Sequence, residues 1–158
     1  MHIHEHPPLS ADTPEAALAR LVAFFEHLQP SNLAQLGSIY SHDAQFKDPF
    51  NEVTGIAAIQ AIFEHMFREL EAPRFVITQC VQQGAQCCVT WDFLFAFRNF
   101  ERGTTQTIRG ASHLVLRQDQ GVWRVAMHRD YWDAAEELYE KLPVVGALMR
   151  WLKRRASH

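Results

Sequence analysis

The stretch that decides the fold of this chain is QCCVTWDFLFAFRNF, residues 86–100. Its aromatic residues recur at every second position, which is the period of a strand whose alternate side chains share one face. Segments of similar β-branched and aromatic character occupy residues 74–82, 104–117 and 122–132. Turn-forming residues separate the four segments: Gln83-Gly84, Arg102-Gly103 and Asp119-Gln120-Gly121. The pattern predicts an antiparallel meander of four long strands.

Apolar residues at helical spacing precede these strands. Asp12 or Thr13 is suited to cap the first helix, with Pro14 in its first turn. The predicted elements are a helix from Pro14 to Gln29, a short helix around residues 33–40, a brief strand at Ala44–Lys47 and a helix from Ile56 to Leu70. A run of helices followed by a run of strands favours the α+β class, with three N-terminal helices packed on one face of an antiparallel sheet.

The composition fits one folded domain. The chain has 158 residues, of which 47% are apolar, and its net charge is −3. A negative net charge does not favour binding to a polyanion, so no nucleic-acid partner is expected. We predict a flexible leader at residues 1–11, the folded domain at 12–133 and a helical extension at 134–158.

The cysteines bear on the compartment. Cys80, Cys87 and Cys88 are odd in number and close together, and the first residues do not form a signal peptide. These features predict a reducing, cytoplasmic location. The cysteine spacing does not suit a zinc site, and we expect neither a metal nor a cofactor.

An apolar stripe accompanied by basic residues runs through residues 144–155 of the predicted extension. Such a helix is able to contact a membrane surface. The alternative is a helix packed on its own domain or on a dimer mate, its cations stabilised at the helix end. We favour the second interpretation.

Two isolated polar residues lie in apolar surroundings. Asp48 precedes Pro49 and Phe50, where a carboxylate commonly accepts backbone N–H bonds in a turn. If Asp48 instead faces an apolar cavity, it is suited to proton transfer. His113 lies in the apolar segment Ala111–Leu116, sharing a face with Ala111 and Val115, and is either a core histidine or a site residue.

The last predicted strand carries a second candidate set. Alternation places His128, Asp130 and Trp132 on one face and Met127, Arg129 and Tyr131 on the other. Residues two apart on a strand are about 7 Å apart, so the carboxylate of Asp130 is able to orient the imidazole of His128. The alternatives are a solvent-facing polar surface and a buried ion pair with no chemical role.

The sequence from Tyr40 to Phe50, YSHDAQFKDPF, leads to Gly55 and the Ile56 helix, and the last strand ends in Tyr131-Trp132. This order resembles the ketosteroid-isomerase and SnoaL-like branch of the NTF2-like superfamily, over roughly residues 14–133. The resemblance implies a cone-shaped, cystatin-like fold, a homodimer, and a pocket for a small hydrophobic molecule. The predicted C-terminal helix extends beyond the usual end of the superfamily domain.

The resemblance also implies residue roles. Asp48 lies at the position of the isomerases' catalytic base, whereas Phe24 and His113 replace the tyrosine and the protonated aspartate of their oxyanion hole. Asp130 with His128 and His113 is similar to the late-strand acid of the SnoaL-like cyclases. The predicted catalytic residues are therefore Asp48, His113, His128 and Asp130. The predicted substrate-binding residues are Phe24, Tyr40, Phe50, Trp91 and Trp132.

Three functions follow from this reading. The first is an isomerase or cyclase that moves a proton on a small hydrophobic carbonyl compound. The second is a noncatalytic module that binds a small ligand or another protein, since members of one fold differ widely in activity. The third is a membrane-surface or assembly factor acting through residues 144–155.

Overall fold

A computed structural model describes residues 11–98, 102–138 and 154 of the chain. The predicted leader, apart from residue 11, lies outside these residues. So does most of the predicted extension, including the basic–apolar segment 144–155 apart from residue 154. No helix within the described ranges is long and apolar enough to cross a membrane.

The helices begin and end close to the predicted positions. They are α1 (Pro14–Glu26), a 3-10 helix (Pro30–Ser38), α2 (Ile56–Glu69) and the short α3 (Ala134–Glu137). Thr13 caps α1, its hydroxyl accepting the backbone N–H of Ala16 at 3.1 Å. The second predicted helix is thus a 3-10 helix, which suits a short segment that begins with a proline.

The strands form one six-stranded open sheet. They are β1 (Tyr40–Lys47), β2 (Glu52–Thr54), β3 (Leu70–Gln83), β4 (Gln86–Phe97), β5 (Gln106–Asp119) and β6 (Val122–Tyr131), in the spatial order β2-β1-β6-β5-β4-β3. The predicted meander of four strands is confirmed as β3 to β6. The α+β class is confirmed as well.

The expectation of a wholly antiparallel sheet is wrong, because β1 pairs with β6 in parallel. Parallel neighbours need a long crossover connection, and here everything from β2 to β5 lies between the two strands along the chain. The pairing places Phe46 of β1 beside His128 of β6. The first and last strands therefore meet at the centre of the sheet.

One face of the sheet carries the core. Leu21 and Phe25 of α1 and Phe63 of α2 belong to the same buried cluster as Leu114 of β5 and Val125 of β6. A second, smaller cluster consists of Trp91, Phe93, Phe95 and Ile108. We call this the inner face, and the site described below lies where the two clusters meet.

Candidate functional site

A cavity of about 400 Å³ opens between α2, the turn after β1 and the inner face of the sheet. Nine aromatic side chains line it: Phe46, Phe50, Phe63, Phe75, Trp91, Phe93, Phe95, Phe97 and Trp132. Rings of Phe75, Phe93 and Phe95 stack in sequence, with centroids 4.6 and 5.2 Å apart. A cavity of this size and lining is typical of sites for small, largely apolar molecules.

A chain of hydrogen bonds runs from the core to this cavity. The hydroxyl of Tyr40 lies 2.6 Å from Nδ1 of His128, and Nε2 of His128 lies 2.7 Å from Oδ1 of Asp130. Tyr40 is 0% exposed and His128 5%, whereas the Asp130 side chain retains 17% exposure and lines the cavity. Asp130 is therefore the member of this chain that a ligand in the cavity reaches.

A second series of hydrogen bonds reaches Asp130 from β4 and β5. The Ser112 hydroxyl donates to Oδ1 of Asp130 at 2.5 Å, and the indole N–H of Trp91 donates to the Ser112 oxygen at 2.8 Å. Ser112 lies directly opposite Asp130 in the β5–β6 register, so their side chains share the inner face. Both hydrogen bonds on the carboxylate fall on Oδ1, and Oδ2 has no partner within the described ranges.

The protonation of Tyr40 determines which groups donate and which accept in the chain of hydrogen bonds from Tyr40 through His128 to Asp130. Burial, and after it the negative charge of Asp130, raises the pKa of Tyr40 well above its ordinary value, so the phenol keeps its proton. The phenol then donates to Nδ1 of His128, and the N–H at Nε2 of His128 donates to Asp130. Both series of hydrogen bonds therefore end with a donor to Oδ1 of Asp130.

Gly110 sets the position of the Trp91 ring. The two residues face each other across β4 and β5, and a Cβ built on Gly110 would lie 2.4 Å from Cη2 of Trp91. Real carbon atoms do not approach so closely, so the indole lies flat over the strand only because residue 110 has no side chain. This placement brings the indole N–H to Ser112.

A smaller cavity of about 30 Å³ lies deeper, against Ser112, His128 and Asp130. Phe63, Phe75, Trp91 and Asp130 line both cavities. Most of the side chains that line the smaller cavity are apolar, and Ser112, His128 and Asp130 are its polar members. Asp130 thus lies at the junction of the two cavities.

Asp48 also lines the larger cavity, but its carboxylate is engaged in a turn. Oδ1 accepts the backbone N–H groups of Phe50 at 2.7 Å and Asn51 at 2.6 Å. The Asn51 amide donates to both oxygens at 3.1 Å. The turn interpretation of Asp48 is therefore confirmed, and it coexists with a position beside the cavity.

His113 does not join the other three predicted catalytic residues. Its ring contacts Gln86 Oε1 at 2.7 Å on the outer face, away from the core. Alternation along β5 was predicted correctly, but Ser112, Leu114 and Leu116 are the buried set. The placement of His113 in the site is wrong, because the leucine-bearing side of the strand faces the helices.

The five predicted substrate-binding residues separate into two groups. Phe50, Trp91 and Trp132 line the cavity, and the rings of Phe50 and Trp132 contact each other at 5.5 Å. Phe24 packs against the main core and lines neither of the two cavities described, so the structure does not bring it to the site. Tyr40 lies behind His128 and acts on the cavity only through that ring.

Ser112 and Gly110 were not predicted as site residues. The signal for Ser112 is its position opposite Asp130, which becomes readable only once the β5–β6 register is known. Among the described residues, no three His, Cys, Asp or Glu side chains gather as a metal site requires.

The sequence model of the SnoaL-like domain family matches residues 21–125, more than half of the chain. The chain therefore belongs to the SnoaL-like domain family, and its fold is similar to that of NTF2-like proteins of known structure. The match ends just before His128 and Asp130, so these two residues lie beyond it. No curated protein matches the sequence significantly.

Solved structures support the same fold. A hypothetical protein with a ketosteroid isomerase-like fold from Catenulispora acidiphila, in complex with trimethylamine, is 18% identical with a TM-score of 0.63, over 80% of this chain and 91% of that one. An LEH-like epoxide hydrolase from M. tuberculosis is 17% identical with a TM-score of 0.61, over 79% and 87%. A candidate polyketide cyclase from Pseudomonas putida is 15% identical with a TM-score of 0.64, over 83% and 98%.

Proposed function

We propose that this protein is an acid–base enzyme of the isomerase or cyclase type, which binds a small hydrophobic carbonyl compound in the aromatic cavity and uses Asp130 as the base. The observation that supports this proposal most directly is the asymmetry of the Asp130 carboxylate. His128 and Ser112 hold Oδ1, while Oδ2 has no partner within the described ranges, on a side chain that lines the cavity.

The proposed step is removal of a proton from a carbon next to a carbonyl group. Oδ2 of Asp130 takes the proton, and the electron pair of the C–H bond moves onto the carbonyl oxygen as an enolate. In an isomerisation, Asp130 returns the proton to another carbon of the same molecule. In a cyclisation, the enolate carbon attacks a second carbonyl of the substrate, and the proton goes to the new alkoxide.

His128 and Ser112 are positioning residues in this scheme. Their hydrogen bonds fix one carboxylate oxygen and so aim the other, which is a requirement for efficient proton transfer. Tyr40 and Trp91 in turn hold His128 and Ser112 from behind. The base is therefore oriented by four side chains from four strands.

The cavity wall offers few donors for the enolate oxygen. Among its described lining residues there are four side-chain donors. The Asn51 amide is bonded to Asp48 and the Trp91 indole N–H to Ser112, which leaves His65 and the indole N–H of Trp132. A substrate whose carbanion is already stabilised, such as a 1,3-dicarbonyl compound, needs less help from the protein. This argument favours a cyclase of activated carbonyl substrates over an isomerase of simple ketones.

The test is exchange of carbon-bound hydrogen against deuterium oxide, followed by NMR on hydrophobic ketones and cyclic β-keto esters. We expect the wild-type protein to accelerate exchange and Asp130→Asn to lose about 100-fold or more of that acceleration. The matched control is His113→Gln, which alters a histidine on the outer face and should leave the rate unchanged. Equal exchange by the wild-type and Asp130→Asn proteins would refute the proposal.

The alternative is a noncatalytic binding module, and the predominance of aromatic rings in the cavity wall favours it. It predicts an unmodified ligand retained through purification and seen by native mass spectrometry, with no exchange activity towards any carbonyl compound. A homodimer and a cytoplasmic location remain predictions that follow from the resemblance and the cysteines.

A further inference from the structure

The charges around the cavity are of one sign. Three carboxylates line it, Asp48, Glu69 and Asp130, and none of its described lining residues is a lysine or an arginine. His65 also lines it, but the Arg68 guanidinium lies 3.2 Å from Nδ1 of His65. A guanidinium only donates, so Nδ1 of His65 accepts this hydrogen bond.

The nearest cations of the sheet are engaged elsewhere. Lys47 and Arg129 line an adjoining open cleft that shares Asp48, Asp130 and Trp132 with the cavity. Lys47 pairs with Glu52 at 3.3 Å, and the Arg129 guanidinium lies 4.7 Å from the centroid of the Tyr131 ring. Neither lines the aromatic cavity, whose described wall therefore carries negative charge without a compensating cation.

The aromatic rings add to this potential. The face of each ring carries partial negative charge, so a set of rings around a cavity attracts cations and repels anions. At the rim of the cavity, Phe50 is 54% exposed and its ring contacts that of Trp132. Glu69 of α2, on the same rim, has no ion pair or hydrogen bond within the described ranges. The rim thus combines aromatic surface with an available carboxylate.

We propose that the ligand of this cavity is a hydrophobic molecule with a positively charged nitrogen, an amine or quaternary ammonium, held at the rim by Glu69, Phe50 and Trp132. This proposal rests on the proposed function, since it places the carbonyl end of the same molecule at Asp130. Carboxylate-bearing analogues should bind poorly, because an anion would meet carboxylates and ring faces.

Three probes that share one acetophenone body test the proposal: (4-acetylphenyl)trimethylammonium, 4-tert-butylacetophenone and 4-acetylbenzoate. The first two have nearly the same shape and differ in charge, and the third reverses the charge. Binding to the full-length protein is measured by calorimetry or by quenching of tryptophan fluorescence. We expect the ammonium probe to bind about tenfold more tightly than the tert-butyl probe, the usual scale of a desolvated cation–π contact, and the carboxylate probe to bind most weakly.

Two variants locate the effect. Glu69→Gln and Trp132→Leu should each reduce the preference for the ammonium probe over the tert-butyl probe. Glu64→Gln is the matched control, since Glu64 lies on the same helix, hydrogen-bonded to Gln60 at 2.8 Å and away from the lining, and it should leave the preference unchanged. Retention of the full preference in both rim variants would overturn the placement of the nitrogen.

The outcomes separate this proposal from the proposed function. Equal or tighter binding of the tert-butyl or carboxylate probe, or no binding of the ammonium probe at millimolar concentration, overturns the charge preference whatever the exchange activity. Asp130→Asn should abolish deuterium exchange into the ammonium probe and retain most of its binding preference. Exchange that survives in Asp130→Asn refutes the base and leaves the charge preference standing.

Discussion

Asp130 and Asp48 line the same cavity, yet their surroundings differ in kind. Asp130 is held by the side chains of His128 and Ser112, whereas Asp48 is held by backbone N–H groups and the amide of Asn51. The first arrangement extends through His128 to Tyr40 of β1 and through Ser112 to Trp91 of β4, whereas the second is contained within residues 48–51. The origin of its hydrogen-bond partners is thus a better guide to the role of an aspartate beside a pocket than its exposure is.

The comparison also bears on stability. The partners of Asp130 are buried, so each hydrogen bond lost there leaves a polar group with no access to water. The turn around Asp48 lies at the surface, where water replaces a lost partner. Substitutions in the inner hydrogen-bonded chain should therefore cost more than substitutions in the turn.

The largest effect is expected from His128→Leu. The change leaves the Tyr40 hydroxyl without its acceptor and Asp130 without one of its two donors. At about 1–3 kcal/mol for each unsatisfied buried group, the free energy of unfolding should fall by about 2–5 kcal/mol in urea titrations. His113→Leu, the same substitution on the outer face, should change it by less than about 1 kcal/mol. Equal losses would remove the distinction between the two faces.

Gly110→Ala should follow, with a loss of about 1–3 kcal/mol. The new methyl group occupies the position of the Trp91 ring and forces the indole away from Ser112. Tryptophan fluorescence should shift together with the loss of stability. The control is Gly37→Ala, where the nearest atom to the new Cβ, from Ile56, lies at 3.8 Å and the change should be close to neutral. An unchanged fluorescence spectrum in Gly110→Ala would contradict this geometry.

Tyr40 provides a test in alkaline solution. Burial keeps its phenol protonated in the folded state, whereas the phenol of the unfolded chain ionises near pH 10. Its pKa is thus raised on folding, so the stability it contributes is fully present below about pH 10 and is lost as the pH rises above that value. Between about pH 9 and pH 11, the advantage of the wild type over Tyr40→Phe should shrink by about 1.4 kcal/mol. A difference that stays constant with pH would show that the phenol ionises in the folded protein.

The smallest effect is expected at the turn. Asp48→Ala removes the acceptor of the Phe50 and Asn51 N–H groups and should cost about 1 kcal/mol. Asp48→Asn retains an oxygen that accepts the same bonds and should change stability by less than about 0.5 kcal/mol. A loss in Asp48→Asn as large as that in His128→Leu would mean that the Asp48 charge is as deeply embedded as the inner chain.

Much of the fold was predictable because period-two and helical patterns are local. The alternation that groups His128, Asp130 and Trp132 follows from strand geometry alone, and the structure places all three on the inner face. The side of β5 that faces the helices depends on how the strand pairs, including the irregularity between Val115 and Leu116. Which side of β5 faces the helices thus depends on contacts that are distant in sequence, and the observed pairing places His113 on the outer face.

The remaining site residues depend on pairing as well. Ser112 is one serine among several until the register brings it opposite Asp130, and Gly110 has no visible role until Trp91 lies over it. The parallel partnership of β1 with β6 is equally hidden, because no local signal indicates which strand will become the neighbour of a short early one. The strand register therefore determines which residues form the site, and composition and spacing do not reveal that register.

The central position of β6 has a consequence for synthesis of the chain. Because β6 lies between β1 and β5, the first strand cannot complete its pairing until residues 122–131 have left the ribosome. During translation, the edge of β1 that pairs with β6 therefore stays open to other strands until nearly the whole domain has been made. The Tyr40–His128 hydrogen bond forms only after this late insertion, so the candidate base acquires its orientation in the last stage of assembly.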